Sequence, residues 1–246
     1  MRRFLKILLD YRITASELIH NLSVEPQFLE EVVKKITVNT TEMFRDPLMW
    51  TDLRKNVLPQ LSQKHTINIW HSGCSSGQEV YSMIILLAEM GLSDKANLYA
   101  TDLNTDVLEA AKKGVYKYRF NAGYLDNFDK VFVNNNPLID KGEIYRKYFD
   151  IDVATDRIKI HPNLLEKPVF AKHDLVNEDN PFGVRFDLIM CRNVIIYFNY
   201  HLQGRLFTMF HRNLTDSGIL VMGVHESIHG EFLSLFEKSN YHYQKK

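Results

Sequence analysis

The sequence predicts an α/β fold in which a mostly parallel sheet is covered by helices on both faces. Three stretches predict it. Residues 67–71, Ile-Asn-Ile-Trp-His, read as a strand that passes through a glycine-containing turn into 79–90, where apolar residues recur at helical spacing. Residues 97–102 read as a second strand ending in an acid, and 105–113 as a helix stopped by Gly114. Residues 186–191 then read as a buried strand, 201–214 as a helix, and 219–224 as a further strand after the Asp216-Ser217-Gly218 turn. Strands that alternate with helices run parallel and need crossovers, and ligands of such sheets bind beyond the carboxyl ends of the strands.

Ahead of this alternation, residues 1–36 are rich in Leu, Ile, Lys and Glu at helix-like spacing, with Ser16 and Ser23 as candidate caps. The opening Met1-Arg-Arg-Phe-Leu-Lys-Ile-Leu-Leu starts like a signal peptide. Lys6 breaks its apolar run and Asp10 ends it, so it reads as a short helix. Between the second strand and the third, the cluster Asn134-Asn135-Asn136-Pro137 and the alternating run Arg157-Ile-Lys-Ile-His161 suit a small antiparallel insertion at about 120–172. The expected organisation is a helical segment and linker over 1–58, followed by an α/β domain over 59–246.

Composition narrows the function classes. Lys plus Arg and Asp plus Glu each number 30 among 246 residues, so the whole chain carries no net electrostatic footprint for nucleic acid or an anionic membrane. No run reaches the roughly 18 apolar residues of a membrane span. Cys74 and Cys191 are the only cysteines, too few for a disulfide framework or a four-cysteine zinc site. They fit a reducing compartment, the cytoplasm. No His/Cys/Asp spacing points to a metal.

The turn Gly73-Cys74-Ser75-Ser76-Gly77 admits several readings. Gly73-x-Ser75-x-Gly77 matches the nucleophile elbow of serine hydrolases, with a later Asp and His225 or His229 completing a triad. Against it, the turn follows the first strand of the sheet and no His-Gly-Gly stretch upstream supplies an oxyanion loop. A dinucleotide site lacks its G-x-G-x-x-G spacing. An adenosyl site needs only a tight turn that lets backbone pass close, plus an acid such as Asp102 to accept from ribose hydroxyls. The plain alternative is a turn that Gly73 and Gly77 permit, with Asp102 capping the next helix. The residues of the turn alone leave these open.

Four separated blocks, in order, resemble the CheR family of chemotaxis-receptor glutamate methyltransferases. They are Asn39-Thr-Thr-Glu-Met-Phe-Arg45, like the family's Asn-x-Thr-x-x-Phe-Arg; Gly73-Cys-Ser-Ser-Gly-Gln-Glu-Val-Tyr-Ser82, like its cofactor loop; Ala100-Thr-Asp-Leu-Asn-Thr-Asp-Val-Leu, continuing to Gly114-Val-Tyr116; and Phe186-Asp-Leu-Ile-Met-Cys-Arg-Asn-Val-Ile-Ile-Tyr-Phe198. The resemblance spans about residues 36–228. It implies a Rossmann-like class I methyltransferase sheet with a short N-terminal helical segment and a small antiparallel β insertion. It further implies S-adenosylmethionine as cofactor, S-adenosylhomocysteine as product, and methyl-ester formation on glutamates of a chemoreceptor-like protein. Position by position, it implies that Asn39, Thr41, Arg45, Gly73, Glu79, Asp102, Arg192 and Asn193 line the cofactor pocket, joined by Asp174 and Leu175. Asp174 stands where the family commonly has Asn, and Gln78 where it usually has Glu. The amino-terminal segment is shorter than the family's usual helical domain.

Methyl transfer from a sulfonium is an in-line displacement, and a glutamate with an ordinary pKa of about 4.3 is already ionised near neutrality. Alignment, rather than a strong base, is then the task. Arg45 suits it, because a guanidinium can grip a carboxylate through two parallel hydrogen bonds. Tyr197 could donate a further hydrogen bond, and the resemblance assigns importance to both. Plainer roles stand beside these. Arg45 could be an exposed partner of Glu42 or Asp46, Tyr197 a core residue, Glu79 a first-turn acid rather than an acceptor for the cofactor's amino group, and His71 a packing residue. Arg2, Arg3, Lys6 and Arg12 read either as a solvated face or as a basic face for an acidic receptor helix. The rival functions are a serine hydrolase acting through Ser75 and a non-catalytic S-adenosylmethionine-binding regulator.

Overall fold

The computed structural model describes residues 2–36, 39–133 and 140–246. Helices α1 (Arg2–Tyr11), α2 (Ala15–Val24) and α3 (Pro26–Ile36) close around a small core of Ile7, Leu18 and Val32, separate from the main one. The cap of α2 is Thr14 and not Ser16. Thr14 Oγ1 accepts from Glu17 N at 3.2 Å while the Glu17 carboxylate accepts from Thr14 N at 2.7 Å, a reciprocal box that satisfies two orphan donors. Ser23 sits inside α2 and donates to the Ile19 carbonyl one turn back, and Pro26 opens α3. No helix among the described residues is long and apolar enough to cross a membrane.

Next come α4 (Pro47–Asp52), a π-helical turn (Leu53–Val57) and α5 (Leu58–Leu61), which lead into the alternation β1 (Ile67–Ser72), α6 (Gln78–Glu89), β2 (Ala96–Asp102) and α7 (Thr105–Lys113). The chain continues through β3 (Val115–Lys117), α8 (Tyr118–Phe132), α9 (Lys141–Tyr148), β4 (Phe149–Asp152), β5 (Arg157–Ile160) and α10 (Pro162–Leu165). It ends with β6 (Pro168–Lys172), β7 (Phe186–Cys191), α11 (Tyr200–Asn213), β8 (Leu214–Met222), β9 (Phe236–Lys238) and β10 (His242–Lys245). The main sheet has the order β6-β2-β1-β7-β8-β10-β9. Its first five strands are parallel, and β10 runs antiparallel to both neighbours.

Alternation along the central strands explains why both faces are covered. Ile67 and Ile69 of β1, Leu188 and Met190 of β7, and Ile219 and Val221 of β8 join one core with α4, α5 and α6. Trp70, Ile189, Cys191, Leu220 and Met222 point the other way and meet Leu206, Phe207 and Phe210 of α11. Where a turn at 216–218 is expected, Leu214 already pairs with Phe186 and Ile219 with Leu188; the intervening residues bulge, with Ser217 at φ +60°.

An antiparallel sheet is present, in the order β3-β5-β4, with β3 starting ahead of the expected bounds of about 120–172, and the stretch also holds the helices α8 and α9. Phe128 and Phe132 of α8 pack edge-on against Phe44, which fuses the insertion to the core at the Asn39–Arg45 motif. The Asn134-Asn135-Asn136-Pro137 cluster lies outside the described residues. Pro168–Lys172, within the stretch read as insertion, instead pairs in parallel with β2 as the edge of the main sheet.

Candidate functional site

The strand order reverses at β1, which has β2 on one side and β7 on the other. Beyond the carboxyl ends of these strands opens a cavity of about 570 Å³, within the range of small-molecule sites. All eleven residues nominated from sequence line it. Asn39, Thr41 and Arg45 approach from the loop before α4; Gly73 from the turn between β1 and α6; Glu79 from the first turn of α6; Asp102 from the end of β2. Asp174 and Leu175 come from beyond β6, and Arg192, Asn193 and Tyr197 from beyond β7.

The glycine turn is laced to β2. Gly73 N and Cys74 N both donate to the Thr101 carbonyl at 2.8 Å, and Ser75 N donates to Asp102 Oδ2 at 2.8 Å. Asp102 Oδ1 accepts from Asn104 N at 2.9 Å, and Asn104 in turn caps α7. Burial pushes the Asp102 carboxyl above its ordinary range, against the pull of the backbone donors. The carboxylate keeps acceptor capacity beyond these backbone donors, the equipment needed to accept from a ligand hydroxyl. Asp102 therefore orders the following helix and faces the cavity at once.

Gly73 has φ +80°, and a Cβ there would stand 2.5 Å from Val194 Cγ2. Gly73→Ala is expected to destabilise the protein by about 1–3 kcal/mol, through the left-handed backbone and the clash, and to weaken nucleoside binding with it. Urea denaturation checks this; an unchanged midpoint would show that the turn relaxes freely.

A charge network closes the far wall. Arg192, its side chain 2% exposed, donates from Nη1 to Glu79 Oε2 at 2.9 Å and from Nη2 to Asp46 Oδ2 at 2.6 Å and the Arg45 carbonyl at 3.0 Å. His71 Nδ1 lies 3.0 Å from Glu79 Oε1. Burial drives Glu79 upward, and the His71 hydrogen bond with the Arg192 charge outweighs it, so the carboxyl sits below its ordinary value. Asp46 is thus claimed by Arg192. The Arg45 guanidinium makes no ion pair among the described residues, which sets aside its reading as a surface pair with Glu42 or Asp46.

Tyr197 is not a core residue: it is 59% exposed in a short 3-10 turn, Ile195–Tyr197, at the cavity rim. Its loop is held by Glu226, whose carboxylate accepts from Asn193 N at 2.7 Å, Gly223 N at 2.7 Å and Ile196 N at 3.2 Å. Asn193 takes φ +59° there. Phe44, Asp46 and Ser75 also occupy the left-handed region, so backbone strain gathers on the loops around the cavity. Glu226, His71 and Asp46 are the functional supports that sequence reasoning missed. Asp174 engages its own loop through Val176 N at 2.9 Å and Asn177 Nδ2 at 2.8 Å.

The lining fits an adenosyl amino acid. Ser75 Oγ, His173 Nδ1 and Arg192 Nε are buried polar atoms of lining residues without a hydrogen-bond partner among the described residues, and a polar ligand would satisfy them. A triad is not assembled at Ser75, since no imidazole bonds its hydroxyl, and His229 Nε2 is engaged with Gln203 at 2.6 Å.

Comparison with known proteins agrees. The sequence profile described as "CheR methyltransferase, SAM binding domain" matches residues 39–244. The chain is 35% identical over 228 residues to "Putative methyltransferase Cher3" of Pseudomonas putida, covering 92% of this chain and 79% of that protein. It is 32% identical over 212 residues to the chemotaxis protein methyltransferase of Borreliella burgdorferi, covering 82% and 69%. To the chemotaxis protein methyltransferase of Listeria monocytogenes it is 29% identical over 230 residues, covering 92% and 80%. The chain belongs to the CheR family of methyltransferases, with S-adenosylmethionine as its cofactor.

Proposed function

We propose that this methyltransferase forms methyl esters on glutamate side chains of a chemoreceptor-like signalling protein in the cytoplasm. The observation that carries the reading is Arg45: a guanidinium uncommitted to any carboxylate among the described residues, lining the same cavity as Asp102, Glu79 and the exposed Tyr197. Two of the relatives are named for chemotaxis. The free, buried thiols of Cys74 and Cys191 suit a reducing compartment.

The bound cofactor supplies a methyl group on a positively charged sulfur. For the protein's own part, Asp102 accepts from the ribose hydroxyls and Glu79 from the amino group, while Gly73 lets the turn come close. Asn39, Thr41, Asp174, Leu175, Arg192 and Asn193 complete the cofactor contacts. Arg45 holds the acceptor carboxylate by a bidentate grip that orients one oxygen and leaves it ionised. Tyr197 donates its hydroxyl at the rim. The work is alignment of the acceptor oxygen with the methyl group, and no side chain needs to remove a proton. We also assign residues 1–58 as a helical segment and linker and 59–246 as the methyltransferase domain; Met43, Trp50 and Val57 of the linker pack into that domain's core.

Calorimetry with S-adenosylhomocysteine is expected to show stoichiometric binding, and its absence with folded protein would refute the cofactor assignment of the cavity. Radiolabelled methyl transfer to cytoplasmic receptor fragments is expected to yield counts released as methanol by base, the behaviour of a carboxyl ester. Base-stable counts would place the methyl on another acceptor.

A further inference from the structure

We propose that His71 is a positioning residue that fixes the Glu79 carboxylate as an ionised acceptor for the amino group of the cofactor. The proposal rests on the reading of Glu79 as a cofactor contact.

His71 has the same strand parity as Ile67 and Ile69, so its ring lies on the face covered by α6, and Glu79 stands in the first turn of that helix. Its backbone pairs with Ala100 on one side and Met190 on the other, and the residue is fully buried. An apolar ring would serve packing alone at this position. Here one nitrogen is spent on Glu79 Oε1 at 3.0 Å, and the other, Nε2, is a buried atom with no partner among the described residues. Such a group is costly unless the bond it makes is needed.

That bond completes the fixing of the carboxylate. Arg192 holds Oε2 at 2.9 Å and His71 holds Oε1, so both ends of the group are pinned, and one lone pair on each oxygen is left for a ligand. An ionised carboxylate only accepts, which puts the His71 proton on Nδ1 and leaves Nε2 its lone pair. Glu79, Asp46 and Arg192 sum to one net negative charge, which favours a cationic amino group. A proton on Nε2 would cancel that charge and strand a buried donor.

A double-mutant cycle on the full chain, read by calorimetry with S-adenosylhomocysteine, tests this. His71→Leu is expected to weaken binding about tenfold or more, the range of a hydrogen bond to a charged group. His71→Asn, whose amide can donate from near the Nδ1 position, is expected to recover most of the loss. Glu79→Gln weakens binding by itself, and adding His71→Leu to it costs little more. Nitrogen-15 spectra of the wild type are expected to show His71 protonated on Nδ1 alone. If Glu79→Gln weakens binding while His71→Leu does not, or if the two losses simply add, the proposal is overturned and the Glu79 reading stands. Wild-type affinity in Glu79→Gln overturns both. Should His71→Leu fail to fold, the Asn variant and the spectra decide: loss with Asn as large as with Glu79→Gln, or a ring protonated on Nε2, overturns the proposal.

Discussion

Arg45→Ala is expected to lower methyl transfer to receptor fragments by about 10²-fold or more, the scale of losing a group that aligns the reacting atoms, while the fold persists. The structure separates the two roles of this residue. Its carbonyl is structural, accepting from Trp50 Nε1 at 3.0 Å and Arg192 Nη2 at 3.0 Å, and truncation leaves those bonds in place. Its guanidinium pairs with no carboxylate among the described residues, so removing it strands no partner, and the stability change is expected to stay within about 1 kcal/mol. Arg45→Lys keeps the charge without the planar fork and should fall between wild type and Ala. Single-turnover rates with thermal melts measure both quantities. Unchanged turnover in Arg45→Ala would remove the residue from the reaction, and a collapsed melting temperature would make it structural instead.

What could be read from sequence is what local signals encode. β1, β2 and β7 announce themselves through apolar runs that end at a glycine turn, an acid and an Arg-Asn pair, and those ends carry the cavity. β6 escaped because Pro168 to Lys172 is short, opens on proline and gains its identity only by pairing with β2, about seventy residues earlier. The helical spacing of Phe128, Val131 and Phe132 in α8 finds its meaning in a remote partner, Phe44, and no side chain caps the helix start at Lys117. Arg45 and Asp46 look like an ion pair in sequence. The left-handed backbone at Asp46, φ +60°, sends its carboxylate to Arg192, 146 positions away. Glu226 likewise acts on backbone donors 33 and 30 residues back, a role that no spacing rule announces.

Arg192→Met is expected to have the largest effect on stability. Among the described residues, Glu79 is bonded by the Arg192 guanidinium and the His71 imidazole, and removal of Arg192 leaves a carboxylate that is 15% exposed without its guanidinium countercharge. Removing one partner of a buried pair costs about 3–5 kcal/mol, a melting-temperature drop on the order of 10 °C for a chain of this size. The pH dependence fixes the cause. In the wild type the Glu79 carboxyl lies below its ordinary value, so it contributes stability above the unfolded pKa of about 4.3, and that contribution is lost as pH falls through the lower folded value. Without Arg192, burial is opposed by His71 alone among the lowering influences on Glu79, and its carboxyl is expected to rise. The variant then suffers most where Glu79 must be charged, at neutral pH, and its deficit against wild type narrows on acidification as the carboxyl takes up a proton. Adding Glu79→Gln to Arg192→Met removes the stranded charge and should return part of the lost stability at pH 7, although cofactor affinity stays low. Urea denaturation of the three proteins at pH 7 and pH 5 measures this. A deficit that grows toward acid, or a double variant less stable than Arg192→Met, would show that Arg192 supports the fold through packing and not through Glu79.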